Sequence, residues 1–130
     1  GKTTVKVGDL SPTRDFNYVD DTCRGFIALA ETSGIEGREI NIASGTEISM
    51  ADTFNAIAGV MGRKVDFEVD PARLRPGKSE VRRLCGDNSL ICSLTDWRPQ
   101  VDIREGLRRT AEWFSDPVNL AKYKADIYNR

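Results

Sequence analysis

The stretch Arg14-Asp15-Phe16-Asn17-Tyr18-Val19-Asp20-Asp21, answered further along by Leu74-Arg75-Pro76-Gly77, decides how this sequence is read. Both segments set an arginine at a structural junction. Arg14 follows a turn signal, Ser11-Pro12-Thr13, and precedes a short apolar piece that runs into an acidic helix start. Arg75 stands in a loop punctuated by proline and glycine, the kind of segment on which binding residues concentrate. A guanidinium is a permanently charged planar fork, better suited to gripping oxyanions than a lysine point charge. The pair implies an anionic ligand held from two sides.

Working outward, Thr3 to Gly8 alternates and is rich in β-branched residues, which predicts a short strand ended by Gly8-Asp9. Arg14 to Phe16 reads as a second extended piece. A helix capped by Asp20 or Asp21 is expected to reach Thr32, with Cys23, Phe26, Ile27 and Ala30 on one face. Glu39 to Ala43 reads as a strand closed by Ser44-Gly45. Ser49 is placed to cap a helix from Met50 to Met61, ended by Gly62. Lys64 to Val69 alternates strictly, and the basic loop Pro71 to Ser79 follows. A short helix capped by Asp87 or Asn88 should reach Leu94. Asp102 should cap a last amphipathic helix, Ile103 to Phe114, that Asp116-Pro117 ends. Residues 1–115 form the body and 116–130 a polar tail with helical spacing of Leu120, Tyr123 and Ile127. The expectation is an α/β or α+β fold with a small mixed sheet of short strands and about four helices.

Composition bounds what such a chain does. Its 130 residues suit one domain, and the net charge of -1 offers no basic field for nucleic acid. No apolar run is long enough to span a bilayer, and the first residues lack a secretion signal, so a cytoplasmic location is expected. Cys23, Cys85 and Cys92 form no CxxC pattern and read as reduced thiols. Histidine is absent, which removes Ser-His and Cys-His nucleophiles and histidine-based metal sites. No catalytic residue and no metal ligand set stands out.

Each candidate has a plainer role beside its ligand role. Arg14 can pair with Asp15, Asp20 or Asp21 at the surface, where ion pairs are common and weak. Arg75 can be a solvated loop charge. Glu80 can accept hydrogen bonds from a ribose diol or balance Arg82 and Arg83. Asp20 and Asp21 are better explained as helix-start charges than as an acid/base pair. Trp97 is expected to pack beneath the short helix with its indole N–H at a polar edge, and Trp113 and Phe114 to anchor the last helix against the body.

The segment Arg14-Asp15-Phe16-Asn17-Tyr18-Val19-Asp20-Asp21 resembles the RDFxYVxD segment of extended short-chain dehydrogenase/reductases, the nucleotide-sugar epimerases and 4,6-dehydratases. Ile40-Asn41-Ile42-Ala43-Ser44-Gly45, Ile48-Ser49, Leu74-Arg75-Pro76, Ser79-Glu80-Val81, Asp87-Asn88-Ser89, Trp97-Arg98-Pro99 and Glu105-Gly106-Leu107 keep that family's order. Each motif is weak alone; in series, over residues 5 to 115, they are strong. The chain is similar to dehydratases acting on UDP-N-acetylhexosamines in particular.

The resemblance implies that Arg14 and Arg75 grip a nucleotide-sugar diphosphate and that Glu80 lies near the nucleotide ribose. It departs from related epimerases in placing Lys78, not an acid, three positions after the arginine. The family's GxxGxxG loop and Tyr-x-x-x-Lys pair do not occur in these 130 residues. The implied identity is therefore the C-terminal, substrate-side portion of such an enzyme, lacking the Rossmann half. It would bind the nucleotide-sugar without catalysing turnover or holding a cofactor alone, NAD belonging to the intact family. The missing half leaves a strand edge and a helix face uncovered, which predicts self-association or a partner N-terminal half. The alternative is a small self-associating interaction module that kept the fold and lost the ligand.

Overall fold

A computed structural model describes residues 4–74 and 81–123. In chain order the elements are β1 (Thr4–Val7), β2 (Thr13–Arg14), α1 (Val19–Ala30), β3 (Ile48–Ser49), α2 (Met50–Val60) and β4 (Asp66–Val69). A single 3-10 turn (Pro71–Arg73) follows, then α3 (Ser89–Leu94), α4 (Ile103–Ser115) and α5 (Pro117–Leu120). The architecture is a mixture of helices and short strands, as expected. Parallel and antiparallel pairings both occur, divided between two small sheets: β1 runs parallel to β4, and β2 antiparallel to β3.

In the first sheet Val5 lies opposite Phe67 and Val7 opposite Val69, and Asp70 N donates to Val7 O at 2.8 Å to extend the pairing. Phe67 meets Phe54 of α2 with ring centroids 5.3 Å apart, so α2 covers one face of this pair. Ser49 caps α2 by accepting from Asp52 N, as the sequence predicts. Its other end is shifted by one residue from expectation. Met61 is the cap, and Gly62 follows at φ +60°, with Gly62 N bonded to Gly59 O and Arg63 N to Ala58 O. That double closure satisfies two of the last carbonyls through a left-handed glycine.

Two expectations need correction. Neither Asp20 nor Asp21 caps α1: Tyr18 holds the cap position without a side-chain bond, and both acids sit inside the first turn. Glu39 to Ala43 forms no strand, because no strand lies beside it among the described residues. Side chains hold it instead: Asn17 Nδ2 donates to Ile42 O at 2.8 Å and Asn88 Nδ2 to Ala43 O at 2.9 Å. Close backbone approach seats this strip. A Cβ on Gly86 would fall 2.3 Å from that of Ala43, and one on Gly25 would fall 2.7 Å from Ile42. Trp113 and Phe114 also stack edge-on against Tyr123, with centroids at 6.1 and 4.9 Å, and so tie in the segment after α4.

Buried apolar side chains among the described residues are few: Val7, Pro12, Ala43, Ile91 and Trp97. The face of α1 carrying Phe26 and Ile27 is open instead, these side chains being 65% and 57% exposed, and Cys23 beside them is exposed too. Polar ties therefore carry much of the cohesion.

Candidate functional site

Arg14 ends β2, a two-residue strand flanked on both sides. Thr13 and Arg14 face Ser49 and Ile48 of β3, while Thr13 bridges to Arg83 on the other side. Thr13 N donates to Arg82 O at 2.9 Å and Leu84 N to Thr13 O at 3.2 Å. The strip 82–84 thus runs alongside β2 as a third extended piece. Arg14 Nη1 donates to Thr13 O and Val81 O, each at 2.7 Å. The surface carboxylates weighed for Arg14 in the sequence are replaced, in these two bonds, by backbone carbonyls.

Arg75 and Glu80 lie outside the described residues. Leu74 and Val81, which bracket them, are placed. The 3-10 turn before Leu74 packs on the end of β1, where Arg73 O comes so near Gly8 that a Cβ there would be 2.9 Å away. Val81 holds its carbonyl against Arg14. The structure thus brings the residue after Glu80 beside Arg14.

Sequence reasoning passed over two groups here. Asp15, next to Arg14, is a hub: its carboxylate accepts from Ser44 N at 3.1 Å, Ser44 Oγ at 2.5 Å, Gly45 N at 3.0 Å and Gly86 N at 3.1 Å. A carboxylate whose acceptor positions are taken by four donors is a structural tie, not a general base. Adjacency to Arg14 in a polar turn was its only signal in the sequence. Glu47 is the second. Its carboxylate accepts from Thr13 Oγ1 at 2.6 Å and from Arg83 Nε at 2.7 and 2.9 Å, with Arg83 Nη2 at 2.6 Å. Those bonds, from Arg83 first and Thr13 second, hold its carboxyl below the usual range, and Glu47 in turn raises the Arg83 guanidinium. A carboxyl so held is ionised near neutrality and supplies no proton.

Asp21 is 1% exposed and serves the body. One oxygen accepts from Gln100 N at 3.0 Å and Val101 N at 2.9 Å, the other pairs with Arg24, and the Trp97 indole donates to Asp21 O at 2.9 Å. Trp97 is buried with its N–H on a polar partner, as expected, though that partner belongs to α1. Below Asp15 lies a shallow depression lined by Asn17, Asn41, Cys85 and Gly86. Asn17 Oδ1 is buried with no hydrogen-bond partner among the described residues. A groove of 680 Å³ lies elsewhere, between the end of α2 and the β1–β4 pair. Its lining is mostly apolar (Val5, Phe54, Ile57, Met61, Phe67), with Arg63 and Lys64 at one end.

Among the described residues no group of three or more histidine, cysteine or acidic side chains is placed to hold a metal ion, and no helix is long and apolar enough to cross a membrane. Cys23, Cys85 and Cys92 are free thiols. The arrangement can orient a cation toward an anion; its hydroxyl–carboxylate contacts, Ser44 Oγ to Asp15 and Thr13 Oγ1 to Glu47, are tied into the structural hubs just described.

The pattern of the GDP-mannose 4,6 dehydratase family matches residues 1–110. A UDP-glucose 4-epimerase of Mycolicibacterium smegmatis is 36% identical over 114 residues, covering 88% of this chain and 35% of that protein. In structure, an epimerase from Methanothermobacter thermautotrophicus superposes with TM-score 0.78 at 30% identity, covering 93% of this chain and 35% of the other. The UDP-glucuronic acid 4-epimerase of Bacillus cereus, solved in complex with UDP-glucuronic acid and NAD, superposes with TM-score 0.74 at 28% identity, covering 88% and 35%. The chain therefore spans about a third of the length of the relatives it matches.

Proposed function

The chain belongs to the GDP-mannose 4,6 dehydratase family, one of NAD-dependent nucleotide-sugar epimerases and dehydratases, and on that premise we propose that it is a nucleotide-sugar-binding portion of such an enzyme. Arg14 and Arg75 grip the diphosphate, and Glu80 lies toward the nucleotide ribose. The observation that carries this reading is the position of Arg14: its Nη1 is held on Val81 O, one residue beyond Glu80. A guanidinium anchored on backbone carbonyls is oriented before the ligand arrives, which lowers the cost of binding.

In an intact enzyme the nicotinamide would oxidise a sugar hydroxyl to a ketone, acidifying the neighbouring C–H for elimination or epimerisation. This chain's part is to anchor nucleotide and diphosphate. Neither GxxGxxG nor Tyr-x-x-x-Lys occurs within it, so binding and chemistry are separable, and the chain alone is not expected to turn substrate over.

Titration with UDP or UDP-N-acetylglucosamine, read by Trp97 and Trp113 fluorescence and by amide shifts near Arg14, tests the reading. Saturable binding that Arg14→Ala and Arg75→Ala each weaken at least about tenfold supports it, as expected for loss of a charge-assisted contact. No response at millimolar ligand sinks it.

A second reading, a self-associating module that lost the ligand, is favoured by one observation: the open apolar face of α1 at Phe26 and Ile27. Large apolar surface of this kind marks an interaction site. The titration separates the two: no response at millimolar ligand favours this second reading.

A further inference from the structure

Glu47 immediately precedes β3, yet its carboxylate reaches across β2 to the strip beyond. It accepts from Thr13 Oγ1 at 2.6 Å on β2, and from Arg83 Nε and Nη2 at 2.7 and 2.6 Å on the strip. One carboxylate thus ties three neighbouring extended pieces together. Regular pairing between them is slight: two residue pairs between β2 and β3, and one bridge between Thr13 and Arg83. Sheets this small are marginal by themselves. The strip matters because Val81, at its head, supplies the carbonyl on which Arg14 Nη1 rests at 2.7 Å.

From this juxtaposition we infer that Glu47 is a positioning residue for Arg14, acting through Arg83 and Thr13 to fix the strip whose Val81 carbonyl aims the guanidinium. Where that guanidinium meets a diphosphate, the inference rests on the function proposed above. An exposed ion pair is ordinarily worth little, and Arg83 is 76% exposed. This pair is of another kind. It is two-pronged, shares its carboxylate with a hydroxyl donor, and spans pieces that, among the described residues, meet at one backbone bridge. Glu47 need not touch the ligand. Its removal loosens the seat of Arg14 while leaving the charge of Arg14 in place.

The experiment uses the full chain as wild type, Glu47→Gln, Arg14→Lys and the double variant, with two readouts. Without ligand, the side-chain Nε–H resonance of Arg14 and amide exchange at Thr13 and Leu84 report the seat. With UDP, the dissociation constant reports its use. Glu47→Gln should move the Arg14 resonance, speed exchange at both amides, and weaken UDP about tenfold, a coupling of the size found between contacting residues. In the Arg14→Lys background the same change should cost less than about twofold, since the path it acts through is already broken.

An unmoved Arg14 resonance overturns the inference. So does an equal loss in both backgrounds, which would mark general destabilisation. UDP binding that tightens in Glu47→Gln also overturns it, because Arg83 would then be a ligand contact that Glu47 competes for. If Glu47→Gln fails to fold, Arg83→Gln breaks the same pair while keeping the Thr13 bond, and carries both readouts. A wild type that ignores UDP sinks the proposed function, whereas the ligand-free Arg14 resonance still decides for or against positioning.

Discussion

The two sides of α1 are built on opposite principles. One side is saturated with internal partners. Asp21 bonds to the 100–101 backbone, Trp97 donates to the Asp21 carbonyl, and Gly25 admits Ile42. On the other side Phe26 and Ile27 are more than half exposed and nothing in the described chain covers them. A 12-residue amphipathic helix normally buries its apolar face and wets its polar one. Here a bonded acid, Asp21, is buried on the inner side with Gly25, while two large apolar side chains face out. The difference teaches that polar ties hold α1 to the rest of the chain, while its Phe26–Ile27 face stays open within the described residues, which is why we expect a second copy to cover it.

The strongest way to break that comparison is to remove the polar tie. Asp21→Ala removes a buried acceptor from the part-buried N–H groups of Gln100 and Val101. Each donor orphaned in a buried place costs about 1–3 kcal/mol, and because Gln100 is exposed to water a loss of about 2–4 kcal/mol for the two is expected from urea unfolding. Asp21→Asn should cost less. Both N–H groups bond the same oxygen, which an amide carbonyl can replace, although the NH2 then faces the Arg24 guanidinium donor to donor and the ion pair is lost. Equal losses for the two variants would show that the charge, not the acceptor geometry, holds the joint.

The exposed side predicts a different kind of change. Wild type should sediment as a dimer or larger at micromolar concentration, because burying Phe26 and Ile27 against a second copy removes apolar surface from water. The double change Phe26→Lys and Ile27→Lys should shift it to monomer. Stability of that monomer should change by no more than about 0.5 kcal/mol, as befits exposed positions. A clean wild-type monomer defeats the idea of self-association. A monomeric variant that also loses several kcal/mol would mean the face is packed within the chain after all.

The contrast was only half legible in the sequence. Local signals worked where one residue satisfies its own neighbours: Ser49 and Asp102 cap α2 and α4 by accepting from Asp52 N and Glu105 N, as their spacing announces. Apolar periodicity found α1 and its Phe26–Ile27 face, but periodicity says which residues share a face, not whether anything lies against it. The strand reading of Glu39 to Ala43 failed for the same reason, since an extended segment becomes a strand only beside a partner. At the site, Arg14 stood out by residue type. Asp15 and Glu47 did not, because their roles depend on contacts 29 to 71 and 34 to 36 positions away. No periodicity or spacing encodes such pairs.

The mildest test concerns how α4 is held beside the start of α1. Gly106 lies against the Tyr18 ring edge, and the Arg109 guanidinium sits 5.4 Å from that ring's centre and 3.9 Å from Asp20. Glu105 steers this arginine, bonding Arg109 Nε at 2.6 Å and Arg108 Nε and Nη2 at 2.8 Å. Those bonds, from Arg108 and then Arg109, draw the Glu105 carboxyl down from 4.5 to about 2. The folded value lies below the unfolded one, so the stabilisation is present above pH 4.5 and is lost as pH falls toward 2. The gap in Tm between wild type and Glu105→Gln should therefore be small at neutral pH, shrink between pH 4.5 and 2, and vanish below. Added salt should shrink it at neutral pH too, because every partner is at the surface. A gap that ignores both pH and salt would assign Glu105 a packing role and leave Arg109 held on Tyr18 by the ring alone.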